Sequence, residues 1–257
     1  MYGKSKLKYV FFVLISLVLP SSYSESIITS CEMIKVNQAT PLHIIQFSKD
    51  FIEKEVQDTI TKTGLSKVKA KGIVGEKLAR KGIEEGITLD QKKLVSIVTY
   101  FSQKDCKITE FLRDNSDHGI DDIFVVLGKD GKIDKSYNPV FHEAKYDWRC
   151  NLNLKTTKTI CKQLTFQWLN YHIEKVYQRT LTGLDICFGS QNEIEIIPCI
   201  KCQNDFFVEA AWLKNSLNSG NFYRTASVLC SNGMLKIYSV DSHQQTKELE
   251  PPQVIRP

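Results

Sequence analysis

Three absences bound what this chain can be. No segment reaches the ~20 consecutive apolar residues that a membrane-spanning helix needs. The apolar run Tyr9 to Leu19 is broken by Ser16 and stopped by Pro20, so no stable membrane insertion is expected once the N-terminus is removed. Histidine is scarce, with five in 257 residues. No two of them are placed as a general acid and base, which argues against a metal-independent ribonuclease built on His118 or His142. The one Cys-x-x-Cys, Cys199 to Cys202, has no second pair at zinc-binding spacing. It also lacks a βαβ unit that would make it a thioredoxin-like redox motif. Internal repeats and low-complexity tracts are missing too, which excludes solenoids and arrays.

What is present begins with an export signal. Lys4, Lys6 and Lys8 precede the apolar run, and Ser22-Tyr23-Ser24 supplies small residues for cleavage. Residues 1–24 read as a signal peptide and the mature chain as secreted or periplasmic. The formal charge of +5 then falls by three lysines, to +5 − 3 = +2. Attraction to a polyanion must therefore come from a local patch, not from net charge. All eight cysteines lie in the mature part. An even count in an exported chain favours disulfides, and Cys150 with Cys161, flanking one loop, is the first expected pair.

Along the chain, residues 25–46 lack periodicity and read as a leader. Phe47, Phe51, Ile52, Val56 and Ile60 recur at helical spacing and predict a helix over 48–62. Further helices are expected over 67–85 and 90–102, the latter from Leu94, Ile97, Val98 and Phe101. The period then changes. Ile123 to Leu127 is a short β-branched apolar run, the pattern of a strand covered on both faces. Gly128-Lys129-Asp130-Gly131 turns the chain, and Val140 to Tyr146 is the partner strand. Residues 162–177 return to helix, apolar on two sides, with Trp168 in the core. Asn221 to Asp241 holds two alternating runs around Asn232-Gly233, a hairpin signal. The tail from 242 to 257 reads as flexible.

The chemistry gathers on the two neighbouring strands. Residues two apart on a strand share a face, so Glu143 and Lys145 project together. Asp121 opens the adjacent strand, and an antiparallel hairpin sets its carboxylate beside Glu143. Two such carboxylates repel unless a cation lies between them. A hard divalent ion, Mg²⁺ or Mn²⁺, suits those oxygens, keeps several waters, and lowers the pKa of one from about 15.7. Lys145 is then placed to position or deprotonate that water, or to offset charge on the phosphoryl oxygens. Asp-x-Lys occurs three times, at Asp90, Asp105 and Asp130, whereas Glu143-Ala144-Lys145 is the only Glu-x-Lys. The strand context, not the tripeptide, carries the signal. Asp122 is an alternative to Asp121, and either can be read as a cap. Glu143 with Lys145 can be read as a surface pair worth under about 1 kcal/mol.

These motifs, in this order, resemble the PD-(D/E)xK, or restriction-endonuclease-like, nuclease superfamily, and within it the nuclease domains of bacterial polymorphic and contact-dependent toxins. Gly75-Glu76-Lys77-Leu78-Ala79 is similar to that family's first core helix, Gly119-Ile120-Asp121 to its metal-binding strand, and His142-Glu143-Ala144-Lys145-Tyr146 to its catalytic strand. Lys162-Gln163 through Trp168 is similar to its following helix. The resemblance spans residues 67–241. It implies an α/β fold, a central mixed sheet flanked by helices, with an N-terminal helical segment before it and a C-terminal hairpin closing it. It implies Asp121, Glu143 and Glu76 toward the metal, Lys145 at the reacting phosphate, and Gln163 orienting the site. The helix at 90–102 and the cysteine content depart from the family pattern. The expected function is an exported metal-dependent endonuclease acting on DNA or RNA, with DNA favoured. A toxin or effector role would add an immunity or inhibitor protein as a partner. The alternative is a disulfide-stapled secreted protein that keeps the fold and binds without catalysis. Lys62, Lys67, Lys69, Lys71 and Lys77 read either as a phosphate-contacting face or as an ordinary solvated one.

Overall fold

The computed structural model describes residues 31–104, 119–156, 161–182 and 193–241. The expected signal segment, His118 and residues 242–257 lie outside them. The first strands, β1 (Lys35–Val36) and β2 (His43–Gln46), precede helices α1 (Lys49–Thr63) and α2 (Lys67–Gly86). A short strand β3 (Thr88–Leu89), strand β4 (Lys92–Ser96) and helix α3 (Ile97–Ser102) follow. Strands β5 (Asp122–Val126) and β6 (Val140–Asp147) come next, then helices α4 (Phe166–Thr182) and α5 (Glu193–Asn218). The hairpin β7 (Tyr223–Cys230) and β8 (Met234–Asp241) ends the order. The chain is α/β, built on one curled mixed sheet in the order β1-β8-β7-β6-β5-β4-β3, with β2 also pairing β8.

Only the β6–β7 pair is parallel among the named pairs. A parallel pair needs a crossover, and α4 and α5 supply it. Alternation along β6 divides the core. Val140 and Ala144 pack with α1 and α2, while Phe141 packs with α3, α4 and α5. Glu143, two residues past Phe141, therefore lies on the α4–α5 side.

The helices begin where capping chemistry dictates. Ser48 accepts from Phe51 N and Ser66 from Lys69 N, each satisfying one orphan amide of a first turn. Gly64 closes α1 in the left-handed region, with its N–H on Ile60 O. At the β7–β8 turn Gly233 has φ +88°, and a Cβ there would sit 2.1 Å from Phe47 O. Only glycine fits that turn and still lets Phe47 N reach Gly233 O at 2.9 Å.

The structure revises three sequence expectations. Residues 90–102 are not one helix. Asp90 and Gln91 take positive φ and reverse the chain, and Leu94–Ser96 then pair with Phe124–Val126. Leu94 faces the α1–α2 side while Ile97, Val98 and Phe101 face the other. Their helical spacing in sequence was two stripes on opposite sides of a sheet. The aperiodic stretch before residue 47 supplies two edge strands to β8. The expected Cys150–Cys161 pair does not form. Cys150 bridges Cys230 and Cys161 bridges Cys31, because the chain beyond β6 runs alongside the end of β7, where Asp147 is in register with Cys230. Cys202 is also disulfide-bonded, which removes it from zinc. Cys106 and Cys187 fall outside the described residues.

Candidate active site

β5 and β6 pair only as far as Asp122↔His142. Beyond that point β6 loses its neighbour on one side, and the Asp121 carboxylate takes the strand's place by accepting from Ala144 N at 2.7 Å. That bond fixes Asp121 against Glu143. Glu143 is 1 % exposed. One of its oxygens, Oε1, accepts from Lys145 Nζ and, at 2.5 Å, from Gln163 Nε2. The other, Oε2, is buried and has no donor. Burial, and after it the nearby Asp121 charge, push Glu143 well above the ordinary carboxylate range against the pull of Lys145.

Lys145 follows the opposite logic. Burial alone lowers an ammonium pKa, but Glu143, Asp121 and, more weakly, Glu76 outweigh it, and the net shift is upward. Glu76 sits half-buried on α2 and reaches the cluster through its charge on Lys145. Gln163 lies not in a helix but in the irregular turn before α4, between Cys161 and Leu164, both at positive φ. Its amide is clamped from both ends. Gln163 Oε1 accepts from Lys155 N at 2.9 Å and Gln163 N donates to Lys155 O at 3.0 Å.

All five residues singled out in the sequence thus converge on one end of β6, with Asp121, Glu143, Lys145 and Gln163 in one polar cluster and Glu76 at its edge. Among the described residues no three His, Cys, Asp or Glu side chains are gathered as a metal cluster. The donor set nevertheless fits a hard cation. Two carboxylates face each other, and the inner one has an oxygen buried with no hydrogen to bind, which is costly unless a proton or a metal supplies the positive charge.

Sequence reasoning missed the frame that holds Gln163. Glu32 accepts from Phe166 N at 2.6 Å and from the buried Arg224 at 2.9 and 2.8 Å, while neighbouring Cys31 bridges Cys161. No local signal links positions so far apart in the chain.

The other face of the same strands carries a second polar network. Asp122 accepts from Arg80 Nε at 2.5 Å and from Ser96 Oγ at 2.7 Å. His142 bonds Thr225 and Ser227 at 2.8 and 3.0 Å. Burial first, then the Lys145 and Arg80 charges, push His142 down to about 3, so it stands neutral inside the core, away from Glu143.

Comparisons with protein-family models, with curated proteins and with solved structures gave no match. Among the described residues no helix is long and apolar enough to cross a membrane.

Proposed function

We infer that the protein is a divalent-cation-dependent endonuclease, hydrolysing nucleic-acid phosphodiester bonds, with DNA favoured over RNA. The observation that supports this most is Glu143, whose Oε2 is buried with no donor and whose carboxyl lies beside a second carboxylate, Asp121. Asp121 and Glu143 are the residues that would hold Mg²⁺ or Mn²⁺, with Glu76 adding negative charge at the edge. When bound, such a cation supplies Lewis-acid charge that lowers the pKa of water and polarises phosphoryl oxygens.

The chain's own residues do the rest. Lys145 brings a positive charge to the same end of β6, where it offsets negative charge growing on the transferred phosphorus centre. Gln163 orients Glu143 by its short bond to Oε1, leaving Oε2 without a protein donor. The surrounding core limits water to the open end of the cluster. The likeness of these motifs to the PD-(D/E)xK nucleases is part of the reading, as are export and a toxin or effector role with a cognate inhibitor. The Cys31–Cys161 and Cys150–Cys230 disulfides support folding in an oxidising compartment.

The test is cleavage of plasmid DNA and bulk tRNA by the oxidised chain, with Mg²⁺ or EDTA, beside Glu143→Gln and Lys145→Met. Cation-dependent cutting that falls at least about 100-fold in both variants is the expected result. Cutting that survives EDTA and both substitutions moves the site elsewhere. Well-folded protein that cuts neither substrate is a binding protein on this fold.

A further inference from the structure

A groove of about 520 Å³ opens on the α1–α2 side at the end of β6, lined by Lys49, Lys54, Lys67, Lys71, Tyr146 and Ser231 among others. Its charged residues are those four lysines and Glu53, so the lining carries 4 − 1 = +3. This is the local patch that the mature chain's low net charge does not advertise. Lys71 lies over the Tyr146 ring at 4.9 Å, and the Tyr146 hydroxyl stands in the joint field of Glu53, Lys67 and Lys49.

The groove lies at the same end of β6 as the cluster described above, on the opposite face of the strand. Tyr146 directly follows Lys145. Lys67, Lys71 and Gly75 succeed one another about one turn apart on α2, and a Cβ on Gly75 would meet both Lys145 O and Tyr146 Cβ at 3.8 Å. The same helix therefore leads from the lysines to the end of the catalytic strand. A second feature continues the surface. Trp148 is 67 % exposed, with the Arg149 guanidinium over its ring at 4.5 Å. Their loop is held in place by the Cys150–Cys230 bridge and by Ser231 Oγ, which donates to Trp148 O at 3.1 Å. An indole this exposed on a stapled loop contributes little burial to the fold.

We propose that this groove and the Trp148–Arg149 loop bind a single strand of the nucleic-acid substrate, the lysines taking phosphates and the indole stacking on a base. The inference rests on the nuclease reading and specifies the form of its substrate. A basic groove with aromatic platforms is the chemistry of sequence-tolerant single-strand binding. A space of this size takes a ligand of one or two nucleotides. A duplex, whose major groove alone is about 12 Å wide, does not enter it.

The test measures fluorescence anisotropy of a labelled 15-nucleotide single strand, as DNA and as RNA, and of the matching duplex, with the full oxidised chain in EDTA. Single strands are expected to bind tighter than duplex. Lys67→Glu/Lys71→Glu should weaken single-strand binding at least tenfold and flatten the salt dependence by about 1.4 log units per decade, roughly 0.7 for each lost phosphate contact. Trp148→Ala should weaken binding about tenfold, and Lys81→Glu, elsewhere on α2, should not. Binding that is absent, that prefers duplex, or that is equally insensitive to both lysine variants overturns the proposal. So does equal lysine-dependent binding of anionic phosphatidylserine vesicles. Lysine-dependent binding without cleavage in Mg²⁺ leaves the groove standing and removes the hydrolysis. Cleavage without lysine dependence removes the groove alone.

Discussion

Asp121 and Asp122, consecutive in the chain, serve opposite sides of the sheet. Asp121 accepts from Ala144 N at 2.7 Å and faces Glu143. Asp122 is buried on the α2 side, where Arg80 of α2 and Ser96 at the end of β4 bind it. Burial pushes the Asp122 carboxyl up, and Arg80, Ser96 and the Ile123 amide pull against it. One aspartate is thus available for chemistry and its neighbour is consumed by structure.

That division predicts a double-mutant cycle. Arg80→Met strands a buried carboxylate and should cost about 3 kcal/mol in urea unfolding. Asp122→Asn added to Arg80→Met should recover at least about 1 kcal/mol of the loss. Strict additivity of the two single changes would remove the pairing argument.

His142 predicts a pH dependence. Its folded value near 3 lies below the ordinary 6.5, so the native state keeps it neutral where the unfolded chain takes a proton. The associated stability is complete above 6.5 and is lost as pH falls toward about 3, at about 1.4 kcal/mol per unit. His142→Asn removes that slope. Between pH 7 and pH 5 the natural chain should lose about 2 kcal/mol more than the variant. Parallel losses would show that His142 is not held neutral.

The Cys31–Cys161 bridge predicts a link between the N-terminal segment and the site. Replacing both cysteines by serine should cost about 2–5 kcal/mol. Because Gln163 lies two residues beyond Cys161, cleavage should also slow at temperatures where circular dichroism shows the variant folded. Gln163→Ala should slow it similarly, and combining the changes should add little. Full additivity would mean that the bridge stabilises without positioning Gln163. Non-reducing peptide mapping checks the pairing itself.

Much of this architecture was legible in the residues. α1 and α2 follow from apolar spacing and capping serines, β5 and β6 from β-branched runs with a Gly-x-x-Gly turn, and the last hairpin from Asn232-Gly233. The convergence of Asp121, Glu143 and Lys145 follows from side-chain alternation and one hairpin, both local rules. β4 was misread because Leu94 and Ile97 mimic a helical stripe while packing into opposite layers. α5 had no visible signal. Its core positions Phe206, Ala210, Leu213 and Leu217 keep helical spacing, but Phe207, the exposed Val208 and Trp212 on other faces blur the stripe.

The sequence by itself determined which elements form and which side chains meet across the β5–β6 hairpin, since short-range periodicity and turn chemistry decide both. Tertiary structure alone decided the disulfide partners, the Glu32–Arg224 clamp behind Gln163 and the orphaned oxygen of Glu143. Each of these depends on segments far apart in the chain being packed together, and on water being excluded from where they meet.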